Sequence, residues 1–271
     1  MNKTESAMLD MLKRGRDHYG VVAVKAEFEA EGTRPDELLR LLELARRADL
    51  KVALKIGGCE AVSDLLASRL YGIDYIIAPM VETPYALSKF ADARDKVYGT
   101  GPTDTQFLFN LETQSTIEAL DDMLPIARER LDGIVFGRVD FTLSRGMSRG
   151  AINAPEITQA VLLAANACAR HDLDLVVGGS VSVEAGPALQ AFRQVRLDRF
   201  ETRKIIFDGS AAEAPGFADG IANAVAFELA WLENKQAYYQ SISAEDQARI
   251  RMMRDRAAAT SHSDAIKSFA A

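Results

Sequence analysis

The chain has 271 residues, of which 48% are apolar, 26% charged and 7% aromatic. This composition excludes a disordered chain, because there is ample apolar surface to bury, and it suits one large domain or two small ones. The 39 acids outnumber the 32 bases for a formal net charge of −7, a balance that weighs against a nucleic-acid partner. The longest apolar runs, at 161–165 and 224–227, fall far short of the ~18 residues of a membrane helix, so no membrane partner is expected. Residues 1–6 show no basic stretch ahead of an apolar core, so no secretory signal is expected. Cys59 and Cys168 lie far apart. A disulfide framework or zinc site is not expected, and a cytoplasmic location is.

Strands and helices alternate along the chain. The run Val21, Val22, Ala23, Val24 within 20–27 suits a strand buried on both faces. Thr33 and Pro35 open a helix in which Leu38, Leu41, Leu42 and Ala45 recur at helical spacing. The same unit recurs. Strands are predicted at 51–56, 75–80, 107–112, 133–137, 173–178 and 204–207, with a short eighth at 96–98. Helices are predicted at 60–71, 84–94, 115–129, 155–169 and 184–194, with a loop over 138–153. Such alternation implies right-handed βαβ units, and about eight of them predict an α/β fold of the (β/α)8 TIM-barrel type. A doubly wound sheet is the alternative, but no Gly-x-Gly-x-x-Gly follows the first strand.

The barrel is expected to occupy 1–210, with additional C-terminal helices in a 211–271 extension. An apolar-faced helix spans 217–239, with Phe217, Ile221, Val225, Leu229 and Leu232 on its stripe and Trp231 and Phe227 alongside. Ser243 is read as the cap of a last charged helix over 244–258, followed by a fraying tail. The apolar stripe must be covered, either by the chain's own barrel or by a second copy. A homo-oligomer through this helix is the expectation.

Catalytic groups of such barrels sit at the C-terminal ends of strands. Those ends carry Lys25 and Glu27, Lys55, Glu82, Asn110 and Glu112, Arg138 and Asp140, and Gly179 and Ser180. Strand alternation puts Lys25 with Glu27, Asn110 with Glu112, and Arg138 with Asp140 on shared faces. Charges at nearly every strand end predict a polar pocket. The plain alternative is a layer of salt bridges in the barrel mouth.

The stretches Ala78-Pro79-Met80-Val81-Glu82, Asn110-Leu111-Glu112-Thr113 and Asp132-Gly133-Ile134-Val135-Phe136-Gly137-Arg138-Val139-Asp140-Phe141-Thr142 resemble the HpcH/HpaI aldolase and citrate lyase family. The order and spacing match from about residue 20 to 208. The resemblance implies a lyase that binds Mg²⁺, Mn²⁺ or a similar cation through Glu112 and Asp140 and acts on a small carboxylate, a 2-oxo acid. Two carboxylates suit a hard cation that keeps positions open for water and substrate. Asn110 matches the family's polar neighbour of the metal Glu. Three departures stand out. Lys55 replaces the usual Arg, Phe28 stands at a usual His, and Arg138 replaces a Pro beside the second metal ligand.

Lys55 is therefore expected to take over the Arg's role, and Arg138 to bind a substrate anion. Lys25, Glu27 and Glu82 are candidates for proton transfer, and Gly179 and Ser180 for substrate binding. Thr202-Arg203-Lys204, read as entering the last strand, is a further anion-binding candidate or a solvated rim. Two other readings stay open: a metal-free Schiff-base aldolase using Lys25 or Lys55, and a barrel that binds a ligand without catalysis.

Overall fold

The computed structural model describes the backbone of residues 1–269 and the side chains of residues 1–258. Eight strands close in sequence order into one barrel: β1 (Val21–Glu27), β2 (Lys51–Lys55), β3 (Tyr75–Ala78), β4 (Gln106–Leu111), β5 (Gly133–Gly137), β6 (Asp174–Gly178), β7 (Arg199–Glu201) and β8 (Ile205–Asp208). The helices are α1 (Lys3–Tyr19), α2 (Pro35–Arg47), α3 (Val62–Tyr71), α4 (Pro84–Tyr98), α5 (Gln114–Glu118), α6 (Leu120–Arg130), α7 (Arg138–Ser144), α8 (Pro155–His171), α9 (Gly186–Arg193) and α10 (Phe217–Phe269). The α/β barrel class expected from the alternation is the fold observed.

Two strand assignments differ from expectation. Residues 96–98 form the last turn of α4, because the helical spacing of Leu87, Phe90, Ala91 and Val97 carries on to Gly99. The true partner in the eighth position is β7, only three residues long and charged at both ends, so it shows no apolar run. β1 to β7 run parallel, but β8 is antiparallel to both β7 and β1. β7 and β8 thus form a hairpin instead of a βαβ unit. Its turn, 202–204, sits at the C-terminal mouth of the barrel, where the expected upward last strand would have put it at the opposite end.

The barrel interior is filled by Ala23, Ala53, Tyr75, Ile77, Leu108, Val135, Val176 and Ile206. Alternate residues such as Val24, Leu54, Ile76, Phe109 and Ile134 point to the other face and are also buried. The helices cover that face. In α2, Leu38, Leu41, Leu42 and Ala45 are buried, and each such leucine contributes roughly 2 kcal/mol by burial. At the N-terminal end, Asp74, Asp132 and Asp198 each precede a strand. They accept the N–H groups of Val52, Phe107 and Leu175 at 2.8, 2.7 and 2.7 Å.

The chain divides into two compact units, Met1–Glu228 and Leu229–Ala271, a later division than 210. α10 has no break near Ser243, since neither glycine nor proline follows Gly220. The two separate C-terminal helices are therefore one, and the described helix runs into the expected tail. Ile221, Ala224 and Phe227 are buried in the first unit, and the Phe217 ring packs 5.8 Å from that of Phe200. Part of the stripe expected to meet a second copy thus covers the chain's own barrel. Val225, Leu229 and Leu232 remain exposed. Among the described residues no helix is long and apolar enough to cross a membrane.

Candidate active site

The interior positions at the C-terminal ends of the strands change from apolar to charged, and they line a cavity of ≈ 540 Å³. β1 contributes Lys25 and Glu27, β2 Lys55, and β4 Asn110 with Glu112 just beyond it. Glu201 comes from β7, and Asp140 from α7. Two of the wall positions must be glycine for steric reasons. A Cβ on Gly137 would lie 2.9 Å from Glu112 Cβ, and one on Gly178 would lie 2.8 Å from Glu201 Oε1.

Each lysine sits between two carboxylates. Lys25 Nζ donates to Glu201 Oε1 and lies 3.3 Å from Glu27 Oε1. Lys55 Nζ lies 3.2 Å from Glu29 Oε2 and 3.4 Å from Glu112 Oε2. Burial pulls the pKa of Lys25 down, but Glu201 and Glu27 outweigh it, and the net shift is upward. Lys55 is raised in the same way, burial being outweighed by Glu112 and Glu29. Burial pushes Glu27 up, yet Lys25 and Lys55 hold it below the usual carboxylate range.

Glu112 is 1% exposed. Its Oε1 accepts the Met80 N–H at 2.8 Å and its Oε2 accepts Asn110 Nδ2 at 2.7 Å. Met80 has φ +49°, a left-handed residue that turns its N–H onto the carboxylate. Among the described residues, Asn110 Oδ1 and Glu201 Oε2 are buried acceptors with no partner.

Lys25, Glu27, Lys55, Asn110, Glu112, Asp140, Gly179 and Ser180 therefore share one cavity. Two predicted residues do not join them. Glu82 follows β3 but does not line the cavity, because the turn at Met80 and Val81 carries the chain outward. Arg138 is 1% exposed and spends its donors inside the protein: Nε on Gly178 O at 3.1 Å, Nη2 on Gly179 O at 3.0 Å and Nη1 on Asn153 Oδ1 at 2.9 Å. Burial pulls its pKa down to about 10, still charged at neutral pH. It is not available to a substrate anion. The shared strand face expected for Arg138 and Asp140 does not exist either, since both belong to α7, where i and i+2 diverge.

Sequence reading missed Glu29, Arg149 and Glu201. Glu29 continues the Lys25–Glu27 alternation one step past the strand. Glu201 ends the unread β7. Arg149 lies in a helical turn, Arg149–Ala151, inside the expected loop. Among the described residues no histidine lines the cavity.

The donor set fits a hard divalent cation. Glu112 and Asp140 offer carboxylate oxygens to the same cavity, and among the described residues no group of three or more His, Cys, Asp or Glu is arranged to hold a metal ion. The protein would supply two ligands and leave the others to water and substrate, the usual arrangement for Mg²⁺. The hydrogen bonds from Met80 and Asn110 would orient Glu112 as outer partners do.

A closed α/β barrel with carboxylates and charged lysines at its C-terminal mouth places this chain among the barrel proteins whose pocket lies at that end. The family model for HpcH/HpaI aldolase/citrate lyase matches residues 40–191, more than half of the chain, and the chain belongs to that family. The family's aldolases and citrate lyases make lyase chemistry the activity class. The fold is similar to that of an HpcH/HpaI aldolase/citrate lyase family protein from Burkholderia cenocepacia J2315, at TM-score 0.60 and 11% identity over 87% of this chain and 90% of that one. An HpcH/HpaI aldolase from Desulfitobacterium hafniense DCB-2 superposes at TM-score 0.57 and 14% identity, over 80% and 88%. A variant of the citrate synthase SbnG superposes at 0.54 and 18%, over 72% and 81%. No curated protein matches the chain in sequence. Lys25, Glu27 and Glu201 fall outside the stretch matched by the family model.

Proposed function

We propose that this chain is a divalent-metal-dependent carbon–carbon lyase acting on a 2-oxo acid or a related small carboxylate. The observation that carries this reading is the convergence of Glu112 and Asp140 on one cavity that also holds two charged lysines. Glu112 and Asp140 would hold Mg²⁺ or Mn²⁺, whose charge would stabilise the enolate left when the C3–C4 bond, one carbon removed from the 2-oxo group, breaks. Lys55, beside Glu112, adds a fixed positive charge to the same region. Lacking the two-pronged contact of an arginine, it orients a carboxylate less strictly.

Glu201 is a candidate base. It lines the cavity, Lys25 holds its Oε1, and its buried Oε2, without a partner, would turn toward the cavity to accept a proton from a substrate hydroxyl. Glu27, on the other side of Lys25, completes this group. A Schiff-base route needs a neutral lysine. Ion pairing keeps both candidates charged, which disfavours that route.

Pyruvate release from 4-hydroxy-2-oxo acids, followed with and without Mg²⁺ or Mn²⁺, tests the reading. Metal-dependent release is expected. Borohydride trapping of a lysine adduct with pyruvate would replace it by the Schiff-base route, and binding with no turnover by the ligand-binding alternative. We also propose a homo-oligomer in which the exposed Val225, Leu229 and Leu232 of α10 contribute contacts. Light scattering of a Leu229→Lys, Leu232→Lys variant should report a smaller species; an unchanged mass would defeat this.

A further inference from the structure

We infer that the cavity contains a second anion-binding subsite, formed by Arg149 and the turn at Ser180. It takes a carboxylate or phosphate group at the end of the substrate remote from the reacting 2-oxo group. Only the identity of the reacting end rests on the lyase reading above.

Four cationic side chains line the cavity: Lys25, Lys55, Arg149 and Arg203. Each lysine is paired with two carboxylates. Arg203 Nε lies 2.9 Å from Glu31 Oε1, with Glu27 at 4.0 Å from its Nη2. Arg149 differs. Its Nη2 donates to the neutral Ser180 Oγ at 3.3 Å, and it forms no ion pair among the described residues. Nη2 keeps a second N–H, which with the unpaired Nε or Nη1 makes a planar fork, the geometry that matches an oxyanion. Glu27, Glu29, Glu201 and Glu228 elsewhere in the lining repel an anion, and Arg149 is the lining cation with no carboxylate partner among the described residues.

The backbone beside Arg149 adds donors. Gly179 and Ser180 are consecutive left-handed residues, at φ +87° and +49°. Among the described residues the N–H groups of Ser180 and Val181 have no acceptor, and both residues line the cavity. Successive free N–H groups of this kind form an anion-binding concavity. Glycine is needed at 179, because a Cβ there would come within 2.7 Å of Val139 N and 2.8 Å of Arg138 N.

The two halves of this subsite are tied together. Arg138 donates to Gly178 O and Gly179 O on the Ser180 side and to Asn153 Oδ1 at the end of the Arg149 loop. One buried guanidinium thus fixes the turn and the loop against each other. Arg138 is a positioning residue, and the anion contact first expected of it passes to Arg149.

The test compares 2-oxoglutarate with 2-oxovalerate, which has the same chain length but no remote carboxylate. Binding of each to the full-length chain with Mg²⁺ is measured by calorimetry, and inorganic phosphate is titrated separately. The native chain should prefer 2-oxoglutarate about tenfold, the scale of one charge-assisted contact. In Arg149→Gln the ratio should fall to about one, and Arg149→Lys should restore only part of it. Arg138→Lys should lower the ratio although Arg149 is present. Arg149-dependent binding of phosphate, without a preference for 2-oxoglutarate, would support the subsite and assign it to a phosphorylated group.

An unchanged ratio in Arg149→Gln would overturn the proposal, as would a native chain that neither prefers 2-oxoglutarate nor binds phosphate. Failure of the lyase reading looks different: neither 2-oxo acid would bind in response to Mg²⁺, while phosphate would still bind through Arg149. Arg149 is exposed, so its variants should fold, and a melting curve checks this.

Discussion

At the N-terminal end of the barrel, Asp74, Asp132 and Asp198 each accept a strand N–H, and Arg196 and Arg199 bridge Asp174 and Asp198 at 2.7 to 3.2 Å. At the C-terminal end, Lys25 and Lys55 are also held by carboxylates. There, however, Asn110 Oδ1 and Glu201 Oε2 have no partner, and Arg149 has no counter-charge among the described residues. Buried polar groups are almost always satisfied, so those that border a cavity need a reason. The N-terminal network closes strands and serves stability. The C-terminal network lines the cavity proposed to take the substrate. What separates the two ends is that the charged groups of the C-terminal end line a cavity.

The sharpest way to break this comparison is Asp140→Asn. Activity should fall roughly 1000-fold, equal to about 4 kcal/mol of transition-state stabilisation, while the melting temperature shifts by no more than a few degrees. Asp140 is exposed and fills no core position. Glu112→Gln should lose activity to the same extent. Steady-state pyruvate release as a function of Mg²⁺ checks both, and unchanged metal dependence would remove these residues from the site.

Lys25→Met should have the largest effect on stability. It leaves Glu27 and Glu201 facing each other in a buried site, and such a loss costs about 3 kcal/mol or more. Urea denaturation measures it, and retention of native stability would show that the pair contributes nothing to folding.

At the other end, Asp198→Ala removes the acceptor of Leu175 N–H and a partner of Arg196. About 2 kcal/mol of stability should be lost, with affinity for pyruvate unchanged. A loss of affinity at constant stability would contradict the division of labour between the two ends.

The smallest effect concerns Glu5 of α1. The Arg40 side chain lowers its pKa against the opposing effect of burial, and the Asn2 N–H and the N-terminus add to the lowering, to about 2 from 4.5. A depressed carboxylate stabilises the fold at pH above the unfolded value of 4.5 and loses that contribution as pH falls through about 2. The difference between native chain and Glu5→Gln should be about 1–2 kcal/mol at pH 7 and shrink by pH 3. A difference independent of pH would mean that the ion pair with Arg40 is not its source.

Local periodicity makes the barrel legible in the sequence. The buried run Val21–Val24, the leucine spacing of α2 and the punctuating glycines are properties of neighbours along the chain, and they survive into the fold unchanged. Strand-end alternation likewise brings Lys25, Glu27, Lys55 and Asn110 to the mouth, because the two-residue period is intrinsic to a strand. Tertiary structure decides the rest. The reversal of β8 and the pairing of three-residue β7 depend on how the barrel closes, which no local pattern encodes. Glu201 meets Lys25 across 176 positions of sequence. Arg138 does not take the anion-binding role expected of it because α7 begins directly after β5 and turns its guanidinium inward among backbone carbonyls, leaving the unread Arg149 at the cavity. Which cation is satisfied and which is left for a ligand depends on long-range closure and burial, and only the folded chain sets both.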